Sequence, residues 1–253
     1  MTDRDVVYRE PTGFRPLALD LHLPVGEPVA TIVYLHGGGW RRGSRRQPPP
    51  VLGEFYEGLA DNGFAVAAAD YRLSAEACFP AQLDDVRAAV EWVRGRLAGP
   101  VHLWGESAGG HLALLAALDG GSVDGVVAWY PVTDLLGLPA DRAALGVDDQ
   151  SGPDSREALL LGAPAHDVPD LAHAAAPLTF VRPDAPPILL QHGDADTTVP
   201  PAQSVRLADA LRAVGAPVEL DLVPGAKHVW RGAADVPAIV RRSVDFLRGA
   251  VTR

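Results

Sequence analysis

Apolar and polar positions along this chain follow two rhythms. Val6 to Arg9 and Leu17 to Leu23 alternate with a period of two, the mark of half-exposed strands. Thr31 to Leu35 and Phe64 to Ala69 are short, nearly unbroken apolar runs, as expected of strands covered on both faces. Val101–Trp104, Val123–Trp129, Ile188–Gln191 and Val218–Val223 read as further strands. Between them lie helical spacings: about Val51 to Ala60, Leu83 to Leu97 (with Leu83, Val86, Val90, Val93 and Leu97 on one face), His111 to Leu118, about Pro201 to Val214, and about Val236 to Leu247. Gly63 is placed to end the first of these helices.

Two strands followed by repeated strand–helix units predict an α/β architecture, a mainly parallel central sheet flanked by helices. The chain has 253 residues, which fits one domain over 1–253. The stretch 134–183 is too long for a structureless loop in a compact fold. Ser155 to Leu161 and Pro169 to Ala175 predict short helices within it, so it reads as a small lid-like insertion between two sheet strands.

Composition narrows the function classes. The apolar fraction is 47% and the net charge is −10, which permits a large core and argues against a nucleic-acid partner, whose binding needs a basic face. One basic cluster, Arg41, Arg42, Arg45 and Arg46, is expected to be a solvated loop, with a rim that attracts anionic substrates as the sharper alternative. Cys78 is the single cysteine, so an intrachain disulfide and a cysteine-based metal site are excluded. Met1 to Glu10 is polar and carries no signal-peptide pattern, and no apolar run approaches the length of a membrane span. The expected location is therefore cytoplasmic, with no membrane span and no cofactor or metal.

The chemistry is carried by Gly105-Glu-Ser-Ala-Gly109, a G-x-S-x-G sequence between a strand and a helix. A sharp strand-to-helix turn lifts the Ser107 hydroxyl above the sheet edge, and flanking glycines relieve its crowding. A serine hydroxyl needs a positioned base, and the base needs a carboxylate to orient it. In chain order the acid and base follow such a serine. His228 lies in a loop between the last strand and the last helix; His166 and His173 fall in the insertion, and His192 directly precedes an acidic loop, where a structural role is expected. That loop holds two candidate acids, Asp194 and Asp196, with Asp134 a further alternative. The D-x-D spacing is a weak metal signal, since no other ligands cluster with it. His36-Gly37-Gly38-Gly39-Trp40 follows the third strand and has backbone amides free to face an oxyanion; Gly38, Gly39 and Ala108 are the predicted donors. A phosphate cradle is the competing reading, but the loop lacks the required Lys-Ser/Thr ending. Trp40 and Tyr130 each have two readings, as pocket walls or as packing residues. Glu106 and His36 are expected to brace the elbow and the glycine loop, Tyr71 and Arg72 to support that loop from beneath, Asp194 to hold its turn, and His111 to be structural.

Together His36-Gly-Gly-Gly-Trp40, Gly105-Glu-Ser-Ala-Gly-Gly110 and His192-Gly-Asp-Ala-Asp-Thr-Thr-Val-Pro200 resemble the hormone-sensitive-lipase-like branch of the α/β-hydrolases. Asp70-Tyr-Arg-Leu73 and Tyr130-Pro-Val-Thr-Asp134 fit the same branch. The resemblance runs from about Thr31 to Leu247 and selects Asp196 over Asp194. Only 35 residues precede His36, and they read as strands, not as the N-terminal helical cap of the larger lipases. The compact form is most similar to bacterial acetylxylan/feruloyl esterase-like hydrolases and somewhat similar to kynurenine formamidases. The resemblance implies hydrolysis of a small-molecule ester through an acyl-enzyme on Ser107, with His228 as base and Asp196 as its carboxylate. The absence of a large cap predicts an open site favouring short, acetyl-type acyl groups. Aryl-formamidase activity is the alternative; a non-catalytic binding protein and an exopeptidase are more distant rivals. Oligomeric state has no signature in the sequence.

Overall fold

A computed structural model describes residues 1–148 and 150–251. Asp149, inside the expected insertion, and the last two positions of the expected domain lie outside the described residues. Eight strands form one sheet: β1 (Thr2–Arg9), β2 (Leu17–His22), β3 (Ala30–Leu35), β4 (Phe64–Ala69), β5 (Val101–Glu106), β6 (Gly125–Trp129), β7 (Ile188–Gly193) and β8 (Val218–Val223). Their spatial order is β1-β2-β4-β3-β5-β6-β7-β8. The β1–β2 and β2–β4 pairs are antiparallel, and every later pair is parallel. This is the expected α/β architecture, an eight-stranded, mostly parallel sheet flanked by helices.

Each central strand divides its side chains between two cores. In β3, Val33 and Leu35 join the core beneath α2 (Ala81–Arg94), α3 (Ala108–Leu118) and α7 (Ala202–Ala213). Ile32 and Tyr34 face the opposite core, built with α1 (Phe55–Asp61) and α8 (Val236–Val251). Burial on both faces explains why this strand is continuously apolar in sequence.

Several boundaries differ from the periodic reading. β1 begins at Thr2, because an edge strand exposes its first residues to water and needs no apolar alternation there. The helix expected from Val51 is split: Pro50–Leu52 form a 3-10 turn, Gly53 takes φ 59°, and α1 starts at Phe55. Gly63, at φ 86°, follows α1 as expected of a helix-ending glycine.

The connection from β6 to β7 carries α4 (Leu138–Ala144), α5 (Arg156–Leu161), α6 (Pro169–Ala174) and a 3-10 turn at Pro177–Phe180. It is fastened to the body. Gln203 Oε1 accepts hydrogen bonds from the Thr133 and Asp134 amides, each 2.8 Å long. Arg206 pairs with Asp134 and Asp141. Leu138, Leu160, Ala172 and Ala175 are buried in the larger core. The insertion is thus a packed wall beside the sheet's carboxyl edge, not a separate flap.

The basic cluster also differs from the expected solvated loop. Arg45 is held among Asp5, Asp20 and Asp70, and Arg46 pairs with Asp5 and Asp20. These carboxylates come from β1, β2 and the end of β4, so half of the cluster closes the loop onto the sheet. Arg41 and Arg42 remain exposed.

Candidate active site

Parallel pairing brings the carboxyl ends of neighbouring strands to one edge. Leu35 opposes Gly105, Glu106 opposes Trp129, Trp129 opposes Gln191, and Gly193 opposes Val223. The loops after β3, β5, β7 and β8 therefore open side by side, where open α/β sheets place their sites.

Ser107 stands between β5 and α3 with φ 51° and ψ −115°, a conformation costly for a non-glycine residue. The surroundings fix it. Its amide donates to the Trp129 carbonyl at 2.8 Å, and its own carbonyl accepts from His111 at 2.9 Å. A Cβ on Gly105 would lie 2.2 Å from the Gly109 carbonyl oxygen, and one on Gly109 would lie 2.1 Å from that of Leu35. The glycines are required because backbone meets backbone on both sides of the serine.

His228 follows β8 in a short turn, His228–Trp230, in which Val229 and Trp230 both have positive φ. Its Nε2 is 3.0 Å from Ser107 Oγ, and its Nδ1 is 2.6 Å from Asp196 Oδ2. In the tautomer that fits both contacts, Nδ1–H donates to the carboxylate and Nε2 accepts from the serine. Asp196 is fully buried in the loop after β7. Its Oδ1 accepts the amides of Thr198 and Val199 at 2.8 and 3.1 Å. Burial would raise its pKa, but the His192 ring, 3.6 Å away, and the hydrogen bond from His228 hold the carboxyl below the ordinary range. Asp194 accepts from the Gly225 amide at 2.7 Å and braces the turn. Asp134 is engaged with Arg206. His192 contacts Ser204 Oγ and the Val199 carbonyl within the core, and His166 and His173 stay in the insertion.

Glu106 links the elbow to the glycine loop. Its Oε1 accepts the Gly37 amide at 3.1 Å, and its Oε2 accepts the Tyr130 hydroxyl at 2.9 Å. Burial raises its pKa to about 7 against these two donors. His36 Nδ1 lies 2.7 Å from the Gly37 carbonyl, and Tyr71 stacks on the His36 ring while donating to its carbonyl at 2.8 Å. Arg72 does not join this support; it makes a two-pronged pair with buried Asp85.

Trp40 and Tyr130, the two residues with a pocket-wall reading, are both buried away from the cleft. Trp40 Nε1 donates to His111 Nδ1 at 3.2 Å, and the ring meets His111 edge-on. Tyr130 packs its ring 4.7 Å from that of His228. Each has a polar tip satisfied by a buried partner, and that fixes them as supports. The cleft, about 720 Å³, is lined instead by Gly37–Gly39, Arg42, Arg46, Pro48–Pro50, Ser107, Arg156, His228 and Arg231, among others. Arg156 is the insertion's contribution, and nothing in its local sequence marks it. Among the described residues, no group of three or more His, Cys, Asp or Glu side chains is placed to hold a metal ion. No helix among them is long and apolar enough to cross a membrane.

A serine on a strand–helix elbow, with a histidine and a carboxylate delivered by later loops of the same sheet edge, defines an α/β-hydrolase. More narrowly, the chain belongs to the BD-FAE family, whose profile matches residues 19–211. It is 31% identical over 245 residues to the esterase LipQ of Mycobacterium tuberculosis, covering 89% of this chain. It is 32% identical to an acetyl-hydrolase of Streptomyces hygroscopicus, over 90% of this chain and 78% of the relative. Among solved structures, a truncated carbohydrate esterase from gut microbiota superposes with a TM-score of 0.83 at 28% identity, over 100% of this chain and 97% of the other. The chain spans about half the length of several mycobacterial relatives, 56% of LipQ and 51% of LipM.

Proposed function

We propose that this protein hydrolyses carboxylic esters through an acyl-enzyme on Ser107. The reading is carried by one observation, the unbroken line from Asp196 through His228 to Ser107, with contacts of 2.6 and 3.0 Å. Ser107 Oγ attacks the ester carbonyl as its proton passes to His228 Nε2. Asp196 stabilises the imidazolium and keeps Nδ1 protonated. The amides of Gly38, Gly39 and Ala108 stabilise the oxyanion. The Gly37 amide is already committed to Glu106, which leaves the next two glycines to turn inward. When the carbonyl re-forms, the C–O bond to the alcohol breaks and His228 protonates the departing oxygen. Water then attacks the acyl-enzyme, gives its proton to His228, and releases the acid and a free serine.

The acyl group is short, of the acetyl type. The cleft's apolar side chains are few, Pro48, Pro49, Pro50 and Val229, amid arginines and backbone. A long acyl chain gains about 0.8 kcal/mol for each methylene it buries, and this lining offers little surface for that gain. The acetyl-hydrolase relative supports the same reading.

A fluorophosphonate probe tests the mechanism. It should add its mass to the peptide containing Ser107, and Ser107→Ala should lower p-nitrophenyl acetate turnover by about a million-fold. Labelling at another residue, or a folded Ser107→Ala protein of near-normal activity, overturns the proposal.

A further inference from the structure

The chain is acidic overall, yet the rim of its nucleophile cleft is basic. Arg42, Arg46, Arg156 and Arg231 all line it. Arg46 is occupied by Asp5 and Asp20. Arg42, Arg156 and Arg231 have no ion-pair partner among the described residues, although carboxylates take up most other buried or half-buried arginines here, such as Arg45, Arg72 and Arg142. The one acidic residue lining the cleft, Glu106, is spent on Gly37 and Tyr130.

Arg156 differs most from a solvated surface arginine. It is half-buried, and its stem lies against the glycine loop: a Cβ built on Gly39 would meet Arg156 Cδ at 2.6 Å. Its neighbour Glu157 is taken by Arg142 at 2.9 Å. Burial lowers its pKa, Glu157 opposes this, and the charges of Arg142, Arg41 and Arg42 lower it further. A guanidinium remains charged under such pressure and presents a planar fork suited to carboxylate or phosphate. A half-buried cation without a partner, facing the serine's cleft among other cations, is a site that an anionic ligand completes.

We infer that the esters taken by Ser107 carry an anionic group, a carboxylate or phosphate, bound by Arg156 with Arg42 beside it. The inference rests on the esterase reading above and specifies its substrate class. The charged group stays intact through the reaction; only the ester bond is cleaved.

Three anionic esters probe where the charge sits. In 4-acetoxybenzoate a carboxylate is on the alcohol side, with 4-acetoxybenzamide as its neutral match. In 4-acetoxyphenyl phosphate a phosphate takes that place, with the same 4-acetoxybenzamide as its neutral match. In 4-nitrophenyl hemisuccinate the carboxylate is on the acyl side, with 4-nitrophenyl butyrate as its match. Comparing each anionic-to-neutral ratio of kcat/KM between wild type and variant cancels intrinsic reactivity. Arg156→Gln should lower that ratio about ten-fold for at least one anionic ester, chiefly through KM, and Arg156→Lys should recover most of it. Raising the salt from about 50 to 500 mM should erode the wild-type ratio. Should Arg156→Gln fail to fold, Arg42→Gln reads the same ratio with a smaller drop. A ratio changed less than about two-fold for every ester, or equal losses on both members of each pair, overturns the inference and leaves Arg156 as support for the glycine loop. If wild type hydrolyses none of these esters and the probe leaves Ser107 unlabelled, the esterase reading itself falls, and this inference with it.

Discussion

Asp196 and His228 meet through a 2.6 Å contact in which only one carboxylate oxygen faces the ring. The other oxygen is held by the amides of Thr198 and Val199. The carboxylate cannot rotate without losing both amides, so its aim at Nδ1 is set by the backbone of its own loop. Asp196→Asn retains an acceptor for those amides and turns an N–H towards His228 Nδ1. That favours the opposite tautomer, which presents a proton to Ser107 instead of accepting one. Turnover of p-nitrophenyl acetate should fall about 10⁴-fold with the fold intact by circular dichroism. Activity within about ten-fold of wild type would mean the aspartate does not set the tautomer.

The elbow makes a steric prediction. In Gly109→Ala the new methyl meets the Leu35 carbonyl oxygen at 2.1 Å, and neither backbone has a flexible side chain to move aside. The substitution should destabilise the protein by more than about 3 kcal/mol or abolish soluble expression. Gly58→Ala is the opposite case. Gly58 sits exposed within α1 with nothing near its would-be Cβ, so alanine should raise stability by about 0.5–1 kcal/mol. Urea denaturation of both variants checks the contrast; equal effects would refute it.

This contrast also shows what the sequence makes legible. Gly105, Ser107 and Gly109 are recognisable because their spacing around one strained residue is fixed, even though the backbone that Gly109 must clear, Leu35, lies on a different strand. The mainly parallel sheet with flanking helices follows from strand–helix alternation, but the exchange of β3 and β4 in its order does not. Trp40 and Tyr130 were ambiguous because indole and phenol suit both a pocket wall and a core, and the partner that decides is remote: His111 is 71 positions from Trp40, and Glu106 is 24 from Tyr130. The helix α4 has no clear periodic signal in sequence; only Pro139 near its start and the fully buried Leu138 mark it. Arg156 had no local mark at all. Its place in the cleft comes from how α5 is packed: Glu157 pairs with Arg142 of α4, and Leu160 is buried in the larger core, its carbonyl accepting the amide of distant Phe79 at 2.8 Å.

Acyl length offers a direct reading of the cleft. Across p-nitrophenyl esters from acetate to laurate, kcat/KM should peak at acetate to butyrate and fall for longer chains, because the arginine-rich lining buries few methylenes. A rise towards laurate would reveal an apolar channel that the lining residues do not provide.

Trp40 should report on stability. Trp40→Phe retains an aromatic ring but removes the N–H that His111 Nδ1 accepts. His111 is buried and its pKa is lowered to about 4 by desolvation, so it stays neutral and cannot use Nδ1 as a donor to compensate. Its Nε2 remains committed to the Ala175 carbonyl at 2.6 Å. An orphaned buried acceptor costs about 1–3 kcal/mol, to be read as a lower denaturation midpoint at unchanged slope. An unchanged midpoint would show that the indole contact contributes nothing.

Glu106 should make stability fall as the pH rises through neutrality. Its pKa rises from 4.5 to about 7 on folding because burial disfavours the charged carboxylate, and the donors Tyr130 and Gly37 offset this only in part. The folded state therefore holds a proton that the unfolded chain has released between these two values. In that window the native state binds more protons, so its stability declines with increasing pH. The contribution is complete below about pH 4.5 and is lost as pH rises through about 7, an effect on the order of 3 kcal/mol. Glu106→Gln cannot titrate, yet its carbonyl can still accept the Gly37 amide, so its stability should not carry this component. The difference in unfolding free energy between wild type and Glu106→Gln, measured in urea at pH 5 and pH 8, should shift against the wild type at the higher pH. Parallel stabilities at both values would mean that the carboxyl keeps an ordinary pKa and that the Tyr130 and Gly37 contacts outweigh its burial.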